Sequence, residues 1–457
     1  MSYADFIARK SQIGANNGFE PLWMPDWLFD FQADSLTGWA IRKGRAGILA
    51  DCGLGKTPMQ LVWAENVVRK TNRPVLILTP LAVSPQTVRE AEKFGIDCQQ
   101  SRDGKVKPNI TVTNYERLHY FDPDDFAAVV LDEASCIKAF DGKRRKQVTR
   151  FLSKMQYRLL CTATAAPNDF IELGTLSEAL GVMTQSDMLG TFFRSSDNMR
   201  HSLFKEGDFW NRAKWFFRAH SELPFWRWVC SWARAVRKPS DLGFDDDRFQ
   251  LPPLDIRQHT LPTTHRFPGE LFPRIARTLR EQRIERKQTM LERCQKVADL
   301  VNHNDQAIVW CQYNQEGDML AKMIPDAVQV AGCNSDEEKE ERLSAFALNQ
   351  IRVLVTKPKI ASWGLNYQNC HCMTFFPSHS FEQFYQAIRR CWRFGQEHSV
   401  DVDIVTTEGE AGVTDNLKGK QVKADQMFEA LVGEMNRSAA VKVEDKHHSS
   451  MEVPQWL

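Results

Sequence analysis

The sequence predicts an α/β protein with two parallel-sheet domains in tandem and a helical, tryptophan-rich insert between them. Three observations predict it. Gly47-Ile-Leu-Ala-Asp-Cys-Gly-Leu-Gly-Lys-Thr57 reads as a short buried strand that runs into a glycine-punctuated loop and then a helix. From Arg73 to about Gly181, continuous apolar runs alternate with helical stretches, the pattern of strands buried on both faces. After Val301 the alternation starts again, without a second loop of that kind.

The totals agree with this division. A chain of 457 residues suits two or three domains. The net charge of +1 leaves any binding of a polyanion to local basic surfaces. No apolar run approaches the ~18 residues of a membrane span, and the N-terminus lacks a signal pattern. The expected location is therefore the cytoplasm, or the nucleus if the source is eukaryotic, with no membrane contact. The 11 cysteines show no paired CxxC spacing and read as buried free thiols. Cys370-His371-Cys372 lies in an apolar, strand-like run and reads as core packing in preference to a metal site.

Residues 1–17 are polar and expected as a loose arm or a first short helix, and the first domain is expected over 18–181. Gln32 sits just upstream of the glycine loop, before a helical pattern that runs through Ile41. Its amide both donates and accepts, which suits the edge of an adenine. In the loop, Gly53 and Gly55 let backbone N–H groups wrap a triphosphate, aided by the positive end of the helix expected from Pro58 to Arg69. Lys56 would reach the β- and γ-phosphates of ATP, and Thr57 would ligate Mg²⁺. Ala50 stands where the pattern has its first glycine. The alternative is a glycine turn with a lysine nearby.

Strands follow at Pro74–Thr79, Asn109–Tyr115, Ala127–Asp132 and Tyr157–Thr162, with a helix at Ser84–Phe94. The third of these ends in Asp132-Glu133, on the ligand-binding edge of a parallel sheet. Asp132 is placed to hold Mg²⁺, and Glu133 to orient and deprotonate a water. The alternative is a pair that caps the next helix.

Residues 182–253 carry Trp210, Trp215, Trp226, Trp228 and Trp232 among arginines and phenylalanines. They read either as a nucleic-acid platform or as a small helical subdomain burying its aromatics, and a protein partner through this insert stays open. Leu242–Pro253 reads as a linker. The second domain is expected over 254–436, with charged helices within Phe272–Val301. Its strands are expected at Ala307–Trp310, Ala327–Ala331, Ile351–Thr356, His371–Phe376 and Val400–Val405. A polar tail, 437–457, should be disordered. Near the domain's end, Gln386-Ala-Ile-Arg-Arg-Cys-Trp-Arg-Phe-Gly-Gln396 puts Arg390 and Arg393 three apart, on one face of an amphipathic helix. Guanidinium groups that meet a γ-phosphate when two parts close assist phosphoryl transfer.

Taken together, these stretches resemble the superfamily-two helicase-type ATPases, in particular the Swi/Snf-like group of double-stranded DNA translocases in its minimal bacterial or phage form. The likeness runs in order from Leu28–Gln32 through Asp51–Thr57, Leu76–Pro80, Asn114-Tyr115-Glu116 and Asp132-Glu133-Ala134-Ser135 with Ile137-Lys138. It continues through Thr162–Asn168, Ser362-Trp-Gly-Leu-Asn366 and Gln386–Gln396. Ser135 stands where the family has histidine, and the family's arginine after Leu28 is missing.

The resemblance implies two RecA-like lobes that use ATP and Mg²⁺. Gly364 and Gln386 would join the nucleotide site, and Arg390 and Arg393 would act as arginine fingers. Duplex DNA would be the partner, gripped through Thr79-Pro80, Asn114-Tyr115 and 362–366. The basic helix Lys143-Arg144-Arg145-Lys146 reads either as a further phosphate contact or as a solvated face. Two other readings stay open, a strand-separating helicase on DNA or RNA and a non-catalytic clamp switched by ATP.

Overall fold

Both expected parallel sheets are present. The computed structural model describes residues 16–138, 142–166, 169–195, 215–262, 276, 278–361, 366–378 and 380–448. The chain divides into two units. The first comprises Met1–Thr79, Thr87–Asp245 and Ala424–Leu457, and the second Pro80–Gln86 and Asp246–Lys423.

In the first unit the strands are β1 (Arg45–Ala50), β2 (Val75–Thr79), β3 (Cys98–Gln100), β4 (Ile110–Asn114), β5 (Ala128–Asp132) and β6 (Tyr157–Cys161). A hairpin of β7 (Phe193–Ser195) and β8 (Trp215–Phe217) comes next, followed by β9 (Ala233–Val236). The main sheet has the order β3-β4-β2-β5-β6-β1-β9, parallel at every pairing. β1, β2, β4, β5 and β6 are apolar or small-polar runs buried almost throughout, as strands covered on both faces must be.

The tryptophan-rich stretch is part of this unit. Its helix Glu222–Trp232 buries Phe225, Trp226, Trp228 and Trp232, and β9 then extends the sheet beside β1. Gly47 on β1 is small for a reason, because a Cβ there would lie 3.3 Å from the Trp232 ring and from Ala233. Trp215 is half-buried, and Trp210 lies outside the described residues. Of the two readings of these aromatics, the structure favours burial. It does so by building Phe225, Trp226, Trp228 and Trp232 into the first unit's core. Met427, Phe428 and Leu431 join the same core, so the C-terminal segment packs where a polar tail was expected to begin only ten residues later. The last helix, Ala411–His448, runs past residue 437.

In the second unit the strands are β10 (Leu254–Leu261), β11 (Ala307–Trp310), β12 (Ala327–Val330), β13 (Val353–Thr356), β14 (Cys372–Phe375) and β15 (Val400–Thr407). They form a parallel sheet in the order β10-β15-β14-β11-β13-β12. β10 was not expected as a strand. It is an edge strand with mostly exposed polar side chains, so no apolar run announces it.

Candidate functional site

The first unit assembles its site at the carboxyl ends of β1 and β5, which are separated in the sheet by β6. β1 delivers the chain into the loop 51–55, and the helix Lys56–Thr71 leaves it. Gly53 and Gly55 hold left-handed φ angles of 89° and 72°, the conformation glycine adopts without cost. Gly55 is also the N-cap, so the unpaired N–H groups of the first helical turn face the loop. A Cβ on Gly55 would overlap the Gln32 amide nitrogen.

Gln32 is almost fully buried. Its Nε2 donates to the Leu54 carbonyl at 2.9 Å, and its Oε1 accepts from Phe29 N–H at 3.1 Å. The Lys56 ammonium donates to the carbonyls of Ala50 (3.0 Å) and Asp51 (3.2 Å), so the lysine lies along the loop. Gly55→Ala is expected to weaken ATP binding by about tenfold, since a left-handed non-glycine residue costs roughly 1–2 kcal/mol and Gln32 must also give way. A fluorescent nucleotide titration measures this, and unchanged affinity would mean the loop does not hold phosphate.

At the end of β5, Asp132 and Glu133 are both buried. Asp132 accepts from the Gln60 amide at 2.7 Å, and its backbone carbonyl accepts from the Tyr115 hydroxyl at 2.6 Å. Burial first, and the neighbouring Glu133 second, push the Asp132 carboxyl up to about 6, with the Gln60 bond and Lys56 pulling the other way. Such a pair tolerates two negative charges poorly unless a cation sits beside it. The residues therefore fit Mg²⁺, with Thr57 and Asp132 as holders, and the glycine loop fits a triphosphate. Glu133 adopts a left-handed backbone (φ 51°, ψ 55°), and Thr162 Oγ1 donates to its carboxylate at 3.4 Å.

Gln60 was not foreseen as a site residue. It sits one helical turn after Lys56, which places it on the same helix face, but its partner lies 72 residues away. Ser135, in the histidine position of the resemblance, is fully buried and its hydroxyl has no hydrogen-bond partner among the described residues.

In the second unit, the helix bearing Gln386 ends at Ile388, and Arg390 and Arg393 lie in the turns that follow. The expectation of one helical face for both arginines is therefore corrected. The cause is Arg390 itself, whose Nε donates to the Gln386 carbonyl (3.0 Å) and whose Nη2 donates to Gln386 Oε1 (2.8 Å). The side chain thus caps the helix end that it was expected to extend. Arg390 is buried and Arg393 half-buried. Gly364 lies outside the described residues.

Several candidate backbone-gripping side chains are engaged within their own unit. Asn114 caps the N–H of Arg117 at 3.0 Å, Arg144 pairs with Glu116 at 2.5 Å, and Arg145 pairs with Glu178 at 2.7 Å. Of the basic run, Arg145 is thereby a structural residue and not part of a solvated face.

The helicase conserved C-terminal domain family matches residues 289–395, within the second sheet unit. None of the curated proteins matches the chain. Among solved structures, the chain is similar to the Sulfolobus solfataricus SWI2/SNF2 ATPase core in complex with dsDNA. The identity is 15%, with 92% of this chain and 96% of that chain covered and a TM-score of 0.40.

Proposed function

We propose that this chain, a helicase-type ATPase with a helicase C-terminal domain in its second sheet unit, is a motor that couples ATP hydrolysis to movement along duplex DNA. One observation carries the reading. A glycine loop suited to phosphate, backed by the buried Asp132–Glu133 pair, shares a chain with a helicase C-terminal domain that bears Arg390 and Arg393 but has no such loop of its own.

In this reading Lys56 and the N–H groups from Gly53 to Thr57 hold the phosphates, and Gln32 reads the adenine. Thr57 and Asp132 hold Mg²⁺, which draws charge from the phosphates when bound. Glu133 orients the attacking water and accepts its proton. Gln386 positions Arg390, and Arg390 and Arg393 serve the γ-phosphate when the nucleotide is bound, the arrangement that stabilises phosphoryl transfer most strongly. Repeated binding and release of these arginines would drive the steps along DNA.

Steady-state ATPase activity tests the proposal, measured without nucleic acid and with duplex DNA, single-stranded DNA or single-stranded RNA. Strongest stimulation by duplex DNA is the expected result. Lys56→Ala should abolish turnover under every condition, and normal turnover in that variant would remove the phosphate-loop assignment. A clear preference for single strands would favour strand separation. Absence of turnover with intact nucleotide binding would favour a switched clamp.

A further inference from the structure

A second chemical cluster sits in the second unit, on side chains to which the nucleotide-site reading gives no role. Asp305, His371 and Cys372 each offer one donor atom, and the three atoms lie within 4.8 Å of one another. The sheet brings them together. Cys372 is the first residue of β14, Asp305 lies two residues before β11, and β11 pairs with β14 in a register that places Ala307 beside Cys372. His371 is held by the same ladder, since its carbonyl accepts from Asp401 N–H at 2.8 Å.

Two further imidazoles flank the three. The His398 ring stands 5.0 Å from that of His371, two residues before β15, and His303 Nδ1 lies 3.8 Å from an Asp305 carboxylate oxygen. All these groups gather at the amino ends of β15, β14 and β11, which are neighbours in the sheet. Sites in parallel α/β sheets normally form beyond the opposite, carboxyl ends. The cluster is therefore separate chemistry from the nucleotide site.

Cys370 does something else. It is buried, and its thiol donates toward the carbonyls of Gln306 (3.4 Å) and Cys372 (3.3 Å), as a core residue does. Core packing thus describes Cys370, whereas His371 and Cys372 remain partly exposed beside the exposed Asp305.

We propose that Asp305, His371 and Cys372 form a zinc site that ties together the starts of β11 and β14. The donor set chooses the metal. A thiolate and an imidazole disfavour Mg²⁺ and Ca²⁺, which take oxygen, and suit Zn²⁺, for which cysteine, histidine and carboxylate are the usual ligands. Tetrahedral zinc with bonds of about 2.0–2.3 Å needs donors roughly 3.5 Å apart. Donors already within 4.8 Å reach that spacing by side-chain rotation alone. Cys372 binds as the thiolate, its proton passing to solvent, and water completes the fourth position. His398 and His303 stand beside that shell, where neighbours of metal ligands commonly tune them.

The full chain is titrated with Zn²⁺ against a competing indicator, and with Co²⁺ as a spectroscopic substitute. One equivalent of zinc and a thiolate-to-cobalt charge-transfer band are expected. Cys372→Ser should remove the band and weaken binding by more than about 100-fold, beyond the roughly 10–100-fold loss typical of a mere supporting neighbour. Asp305→Asn should weaken binding similarly, and because that side chain is 62% exposed the variant should fold as the parent does. Cys333→Ser, at an exposed thiol elsewhere, should change nothing.

Absence of binding would overturn the proposal. So would binding without the thiolate band, since the tail pair His447-His448 carries no thiol and could alone account for it. Equal affinities for the parent, Cys372→Ser and Asp305→Asn would overturn it too.

Discussion

Glu133→Gln is expected to bind ATP as the parent does and to lose hydrolysis by about 10²–10⁴-fold, the usual contribution of a positioned general base. The substitution keeps the side chain's shape, so the pocket at the end of β5 should close around it unchanged. Glutamine can still accept from Thr162 Oγ1, but it cannot take a proton from water. The backbone adds to the case. Glu133 is a non-glycine residue in the left-handed region, which costs of order 1–3 kcal/mol and persists only where the surroundings hold it. Here they do. Asp132 ahead of it is fixed by Gln60, the Tyr115 hydroxyl is bonded to the Asp132 carbonyl, and Ala134 begins a short 3₁₀ turn. Single-turnover hydrolysis beside a nucleotide titration separates chemistry from binding. Turnover within a fewfold of the parent would mean that another group activates the water and that Glu133 only shapes the turn.

This half of the site was legible because its signals are local. A buried strand, a loop with glycines at the left-handed positions and a helix occupy 47–71 without interruption, and the acidic pair follows directly on its own strand. What the sequence hid was set by distant contacts. Gln60 looks like any polar helical residue until the fold brings Asp132 against it. β9 is the short run Ala-Arg-Ala-Val, and only its place beside β1 makes it a strand. β10 exposes four consecutive residues, Asp255 to Gln258, along a sheet edge, so hydrophobic periodicity had nothing to report. The arginine pair was expected on one helical face, which the end of the helix at Ile388 rules out. Helical periodicity says nothing of where a helix stops, and the stop depends on the Arg390 side chain turning back onto Gln386. His371 and Cys372 were read as core packing for a similar reason, because Asp305, the third member of their cluster, comes from a separate strand start.

Arg293→Met is expected to destabilise the second unit by about 3–5 kcal/mol, the cost of leaving one member of a buried ion pair without its partner. The Arg293 and Glu316 side chains are 1% and 0% exposed, and Arg293 Nη2 donates to Glu316 Oε1 at 2.9 Å. The guanidinium also donates to the Arg286 carbonyl (2.6 Å) and to Thr289 Oγ1 (3.3 Å), and it stacks 4.7 Å from the Phe376 ring. The other oxygen of Glu316 accepts from the N–H groups of Gln312 (2.8 Å) and Tyr313 (2.9 Å), which start the helix Asn314–Met323. Methionine fills much of the arginine's volume, so the loss should come from the stranded carboxylate more than from a cavity.

Arg257, on β10, supplies the contrast within the same unit. It faces three carboxylates, those of Asp255, Asp401 and Asp403, but it is 47% exposed, so Arg257→Ala should cost no more than about 1 kcal/mol. Chemical denaturation of the full chain, parent beside both variants, measures the difference. A total stability of 5–15 kcal/mol makes the first loss large and the second slight. Equal small losses would mean that water reaches Glu316. Because Arg293 and Glu316 both fall within the helicase C-terminal match, the first variant should also lower ATP turnover at temperatures where the second leaves it unchanged.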